Sequence, residues 1–239
     1  QLDTPEIGSI SITDDTIIRD LGTYPSYTKH NLFPTKVQIP VQKYQSHKDN
    51  SHSFLHYFQT LQDDSVMKDV MDQILPPISM DSTVPGLTLL VRREEYRKEY
   101  KDSSRLVYTR HPIETIVEGR GDCVDKTVLL YSMLSNIGYD VGYALLPNHM
   151  SILLKRDVIE SEFLDASIKD TWITVNETDY GYIDTVEDNK INDPLGDDDT
   201  LDDIYFAETQ ADGFEVKNVN AVADHLRGTV KIIANRLIQ

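Results

Sequence analysis

The chain has 239 residues, 39% of them hydrophobic and 26% charged, with a formal net charge of −17. That size and balance fit a globular chain built around one large domain, and no apolar run approaches the ~18 residues of a membrane span. The negative excess argues against a nucleic-acid partner, whose phosphates it would repel.

Residues 1–50 alternate short β-type runs (Ile10 to Ile12, Lys36 to Ile39) with Pro, Asp and Tyr, and read as an irregular arm with a few strands. Two helices are predicted next. Phe54, Leu55, Phe58 and Leu61 recur at helical spacing, and so do Val66, Met67, Val70, Met71, Ile74 and Leu75, up to the stop at Pro76-Pro77. A third is predicted from Gly86 to Tyr100. The next opens at Asp122, a good N-cap, with Asp125 placed to return a bond to it, and Gly138 supplies a left-handed stop. Apolar residues nearly encircle it, which predicts burial. Strands follow at Tyr139 to Leu146, His149 to Lys155 and Thr171 to Val175, with Pro147-Asn148 as a turn. Helices and then antiparallel strands make the class α+β. After Asp184 the chain turns acidic, which reads as a solvated loop, and the apolar spacing of residues 216–238 predicts a closing helix. The chain thus divides into an arm (1–50), a helical segment plus core (51–185), and an acidic loop with a C-terminal helix (186–239). A start at Gln1 reads as either a processed N-terminus, which favours an extracellular or cell-surface site, or a cut piece.

The only cysteine, Cys123, falls on the first residue of the helix that Asp122 caps, just after a turn containing Gly119 and Gly121. With no second cysteine it forms no internal disulfide. A helix start offers unpaired N–H groups and the positive end of the helix dipole, the setting of reactive cysteines. A thiol becomes an acyl-transfer nucleophile when a histidine takes its proton and a third polar group fixes the imidazole. His149 opens a predicted strand just past a turn, and Asn176 ends the next one. Cys123, His149 and Asn176 therefore read as a Cys-His-Asn triad, with the N–H of Cys123 as oxyanion donor. Glu177 would point to the opposite face of a strand. Asn176-Glu-Thr178 is also a glycosylation sequon, and a glycan there would exclude the triad role.

His52 and His56 stand four apart on a predicted helix without a third ligand in sight, and read as a solvated face. The acidic cluster at Asp197 to Asp203 matches no calcium loop. No metal or cofactor is expected.

The run Tyr108-Thr-Arg-His-Pro-Ile-Glu-Thr-Ile-Val-Glu-Gly-Arg-Gly-Asp-Cys-Val-Asp-Lys-Thr127, with Gly138-Tyr-Asp-Val141 after it, resembles the transglutaminase-like superfamily. It is most similar to the archaeal and bacterial cysteine-protease-like members. Leu146-Pro-Asn-His-Met150 resembles their histidine strand, and Trp172-Ile-Thr-Val-Asn-Glu-Thr178 their third motif, in which a Trp or Tyr precedes an acid and a Thr. Position 124 is Val where relatives often carry an acid, and position 176 is Asn where they usually carry Asp or Glu. The resemblance covers roughly residues 86–185. It implies a papain-like fold, an antiparallel sheet packed on a buried helix that carries the cysteine. It further implies cysteine-dependent acyl transfer on amides of a protein or peptide substrate, with hydrolysis of peptide or isopeptide bonds favoured over cross-linking. The other reading is a catalytically silent module with the same fold, a structural or interaction component of a surface assembly with partner proteins.

Overall fold

The structure is a computed structural model, which describes residues 8–25, 32–50, 52, 65–75, 83–97, 108–145, 149–163, 172–175, 177–186, 205–210 and 213–218. The N-terminal portion forms β1 (Ile10–Ile12), β2 (Thr16–Pro25) and β3 (Leu32–Pro40), an antiparallel sheet in that order. The short helix α1 (Val41–Lys48) follows, then α2 (Ser65–Ile74) and α3 (Thr83–Arg93). Strand β4 (Glu95–Tyr96), helix α4 (Pro112–Glu118) and strand β5 (Arg120–Gly121) lead into α5 (Cys123–Asn136). Then come β6 (Val141–Leu145), β7 (Met150–Lys155), α6 (Arg156–Glu162), β8 (Ile173–Val175) and β9 (Thr178–Ile183), with β10 (Tyr205–Gln210) and β11 (Gly213–Asn218) last.

Strands β6 to β11 form one six-stranded sheet of order β11-β10-β6-β7-β9-β8, antiparallel at every pairing. Helix α5 lies on it. Val128, Leu129, Leu130, Met133 and Leu134 share a core with Tyr143, Ile152, Leu154 and Ile183. Tyr131 of the helix stacks on Tyr143 of β6 at 4.3 Å between ring centres. A helix apolar on nearly every side must be covered on every side, and α2, α3 and α4 complete the cover. The fold is α+β, with the cysteine-bearing helix buried against an antiparallel sheet.

Several expectations change. The arm is a sheet packed on the core: Ile17, Leu21, Val37 and Ile39 are buried with the helices. The third helix ends at Arg93 rather than Tyr100, because Glu95 and Tyr96 leave it to pair in parallel with Arg120 and Gly121. Helices α1, α4 and α6 and strand β9 were not anticipated; each is short, and α4 and α6 cover barely two turns. Val216, assigned to a closing helix, lies in β11, which pairs with β10. The predicted helix through Phe54 and Leu61, the acidic stretch 187–200 and residues 219–239 lie outside the described residues.

Candidate active site

The position of Cys123 follows from one turn. Helix α4 ends at Gly119, whose φ of +67° suits a residue without a side chain. A Cβ there would also come within 2.4 Å of the Arg19 guanidinium. Two residues on, a Cβ on Gly121 would come within 2.6 Å of the Asp125 Cβ, so the chain passes close under the first turn of α5. Asp122 caps that turn, its Oδ1 accepting the N–H groups of Val124 at 2.9 Å and Asp125 at 3.1 Å. Asp125 returns the bond through Oδ2 to the Asp122 N–H at 3.1 Å, completing the expected capping box. Arg110 braces Asp125 from outside, with its backbone N–H at 2.7 Å from Oδ1 and its guanidinium at 3.1 Å from Oδ2. Burial, and next the carboxylate of Asp122, push the Asp125 pKa up.

Cys123 is therefore the first residue of a doubly fastened helix start, and it is 8% exposed. His149 stands immediately before β7, near enough to Cys123 for the two side chains to interact. Its Nε2 lies 3.3 Å from Asp184 Oδ2, an ion-pair separation whose angle falls short of an aligned hydrogen bond. Asp184 directly follows β9 and is held in place: its Oδ1 accepts the Val186 N–H at 2.7 Å, and its carbonyl accepts Arg92 Nε at 2.9 Å. Burial works to strip the proton from His149, but the contacts to Asp184 and then to Cys123 outweigh it and raise the pKa from 6.5 to about 10.

One side chain locks the three together. Thr127, a helical turn after Cys123 and on the same face, donates to the Met150 carbonyl at 2.8 Å and meets the Thr185 hydroxyl at 3.1 Å. It thus grips the neighbours in sequence of both His149 and Asp184. On the open side Tyr96, 52% exposed, stands near enough to Cys123 to interact with it. Burial and then the negative charges of Cys123, Asp122 and Asp125 raise its phenol pKa. Lys126, 1% exposed, fixes the approach to Tyr96 by donating to the carbonyls of Arg92 at 3.2 Å and Glu94 at 2.6 Å.

Of the three residues picked from sequence, Cys123 and His149 stand together. Asn176 lies outside the described residues. Its neighbours Val175 and Thr178 pair with each other at the end of β9 where Tyr180 meets Lys155. The opposite end of β9, where Ile183 meets Ile152, is the one that carries Asp184 to His149. Glu177 is exposed in the β8–β9 turn with a φ of +64°. Asp184, Thr127 and Tyr96 were missed. A signal for the first was present: Tyr182-Ile-Asp-Thr185 also sets a Tyr before an acid and a Thr, as Trp172-Ile-Thr-Val-Asn-Glu-Thr178 nearly does.

No known protein family and no curated protein matches the sequence. Among solved structures, two of LapG from Legionella pneumophila are similar to it, each at 17% identity. One covers 77% of this chain and 97% of its own length with a TM-score of 0.39. The other, calcium-bound, covers 82% and 98% with a TM-score of 0.36. Among the described residues no helix is long and apolar enough to cross a membrane.

Proposed function

We infer that the chain is a cysteine hydrolase acting on peptide or isopeptide bonds, with Cys123 as nucleophile, His149 as acid and base, and Asp184 in the third role. The observation that carries this reading is a histidine ion-paired to a fixed, buried carboxylate, the pair tied through Thr127 to the helix start that carries Cys123. The Cys123 proton passes to His149, and the thiolate attacks the amide carbonyl carbon, forming a C–S bond. As the C–N bond breaks, the imidazolium returns that proton to the leaving amine. Water, deprotonated by His149, then attacks the thioester; the C–S bond breaks, and a carboxylic acid and the thiol are released. Asp184 keeps the ring oriented and stabilises its charged form. The N–H groups of Val124 and Asp125 are engaged by Asp122, and that of Cys123 is the backbone donor next to the sulfur for the developing oxyanion. The transglutaminase-like resemblance of residues 108–127 supports the same chemistry. Asp184 takes over the part first read onto Asn176.

The test is thiol labelling. Iodoacetamide near neutral pH is expected to modify native Cys123 faster than the cysteine of an unstructured peptide, and His149→Ala should remove the difference. Labelling that stays slow until the protein is denatured would favour the silent-module reading.

A further inference from the structure

A second cluster lies at the start of α4. His52, His111 and Glu114 each offer a ligand atom, and the three atoms lie within 4.8 Å of one another. His52 Nε2 is 2.9 Å from Glu114 Oε2, and both side chains are nearly or fully buried. We propose that His52, His111 and Glu114 form a structural binding site for a divalent transition-metal ion of the zinc type, which fastens the segment after α1 to α4.

Two imidazoles and one carboxylate are a donor set that zinc accepts, with the fourth position left to oxygen. The Tyr108 hydroxyl stands where such an oxygen is needed, 2.8 Å from His52 Nε2 and 2.7 Å from Glu114 Oε1. The metal takes the place of the proton shared by His52 and Glu114. Bonds of about 2.0–2.1 Å in tetrahedral array need ligand atoms roughly 3.4 Å apart, so that pair opens by about half an ångström. Lys48 lies 3.3 Å from Oε1, the other carboxylate oxygen, and leaves Oε2 facing His52. Glu114 is further oriented by the His111 N–H, which donates to Oε2 at 2.8 Å.

The need for a fastening is visible in α1. None of its residues is buried. It is held to α4 by polar contacts, namely Tyr44 and Lys48 to Glu118 and the His47 ring 5.2 Å from that of His111. Partly exposed pairs of this kind hold a helix weakly, whereas a metal joining residue 52 to residues 111 and 114 closes a long loop. His111 also adjoins Arg110, the brace of Asp125, so the ion would steady the start of α5 from behind. His56, four residues on from His52, lies outside the described residues and is not needed.

The test uses the full chain carrying Cys123→Ala, which removes the sulfur as a competing ligand. After chelator treatment, cobalt(II) is titrated in and followed by its visible absorption, and zinc is measured by competition. Saturable binding of a single ion per chain is expected, weakened about 100-fold by His52→Ala or His111→Ala and unchanged by His56→Ala. Zinc should raise the Tm of the Cys123→Ala protein and leave that of Cys123→Ala/His52→Ala where it was. Absence of saturable cobalt binding, binding undiminished by His52→Ala, or a Tm indifferent to zinc would each overturn the site. If His111→Ala does not fold, His52→Ala, which leaves His111 in place as the N-cap of α4, decides alone.

Discussion

His149 keeps its proton in a largely covered setting where burial by itself would remove it, and the Asp184 carboxylate is the main reason. Asp184→Asn preserves the shape and deletes that charge. The ring's titration, followed by NMR, should fall from about 10 toward its ordinary 6.5, and Cys123 labelling should slow about 10²–10⁴-fold. Asn176→Ala is expected to leave labelling within about twofold; a loss equal to that of Asp184→Asn would return the third role to Asn176. The same pair links pH to stability. The folded pKa lies above the unfolded one, so the stabilising contribution is complete below pH 6.5, declines as pH rises, and is gone above about 10. In Asp184→Asn that alkaline decline should flatten in urea titrations taken across the range.

At the level of elements, the site is a meeting of α5 with the ends of β7 and β9, and Thr127 makes the meeting specific. Thr127→Val keeps the volume and removes the hydroxyl, leaving the Met150 carbonyl without this donor. A cost of about 1–3 kcal/mol in urea unfolding is expected, together with slower labelling of Cys123. A value near zero would mean that strand pairing alone sets the geometry. The sequence was informative where one helix satisfied several rules at once. Asp122, Asp125, the apolar positions from Val128 to Leu134 and Gly138 all agreed on α5, and the cap located the sulfur. β9 escaped because Thr178 to Ile183 has no clean alternation: its last four residues are all buried, so neither face reads as turned to solvent. Missing that strand left Asp184 out of the sequence reading, which gave the third role to Asn176. Tyr96 was absorbed into an over-long helix because the charged run after Val91 fits a solvated helix face as well as an exposed strand. The contact that decides, its pairing with Gly121, is remote in sequence.

For the whole molecule, the N-terminal sheet is part of the core and not an accessory. Ile17, Leu21, Val37 and Ile39 are each nearly or fully buried, and at about 1.5–3 kcal/mol per side chain their burial rivals the ~5–15 kcal/mol net stability of a typical domain. Arg19 adds a polar tie, from Nε to the Ile116 carbonyl at 3.2 Å and from the guanidinium to Glu94 at 3.4 Å. Burial is the main force raising the Glu94 pKa to about 7, and Arg19 opposes it. A chain lacking residues 1–40 should therefore lose its cooperative thermal transition by calorimetry. A Tm within a few degrees of the full chain would show that the sheet is dispensable.

The solitude of Cys123 bears on how the molecule ages. Peroxide converts an accessible thiolate to a sulfenic acid, which many enzymes rescue by folding a neighbouring thiol onto it. These 239 residues hold no such neighbour. Rescue would have to come from a small thiol able to enter past Tyr96, and continued exposure would carry the sulfur on to the sulfinic stage and leave it inert for good.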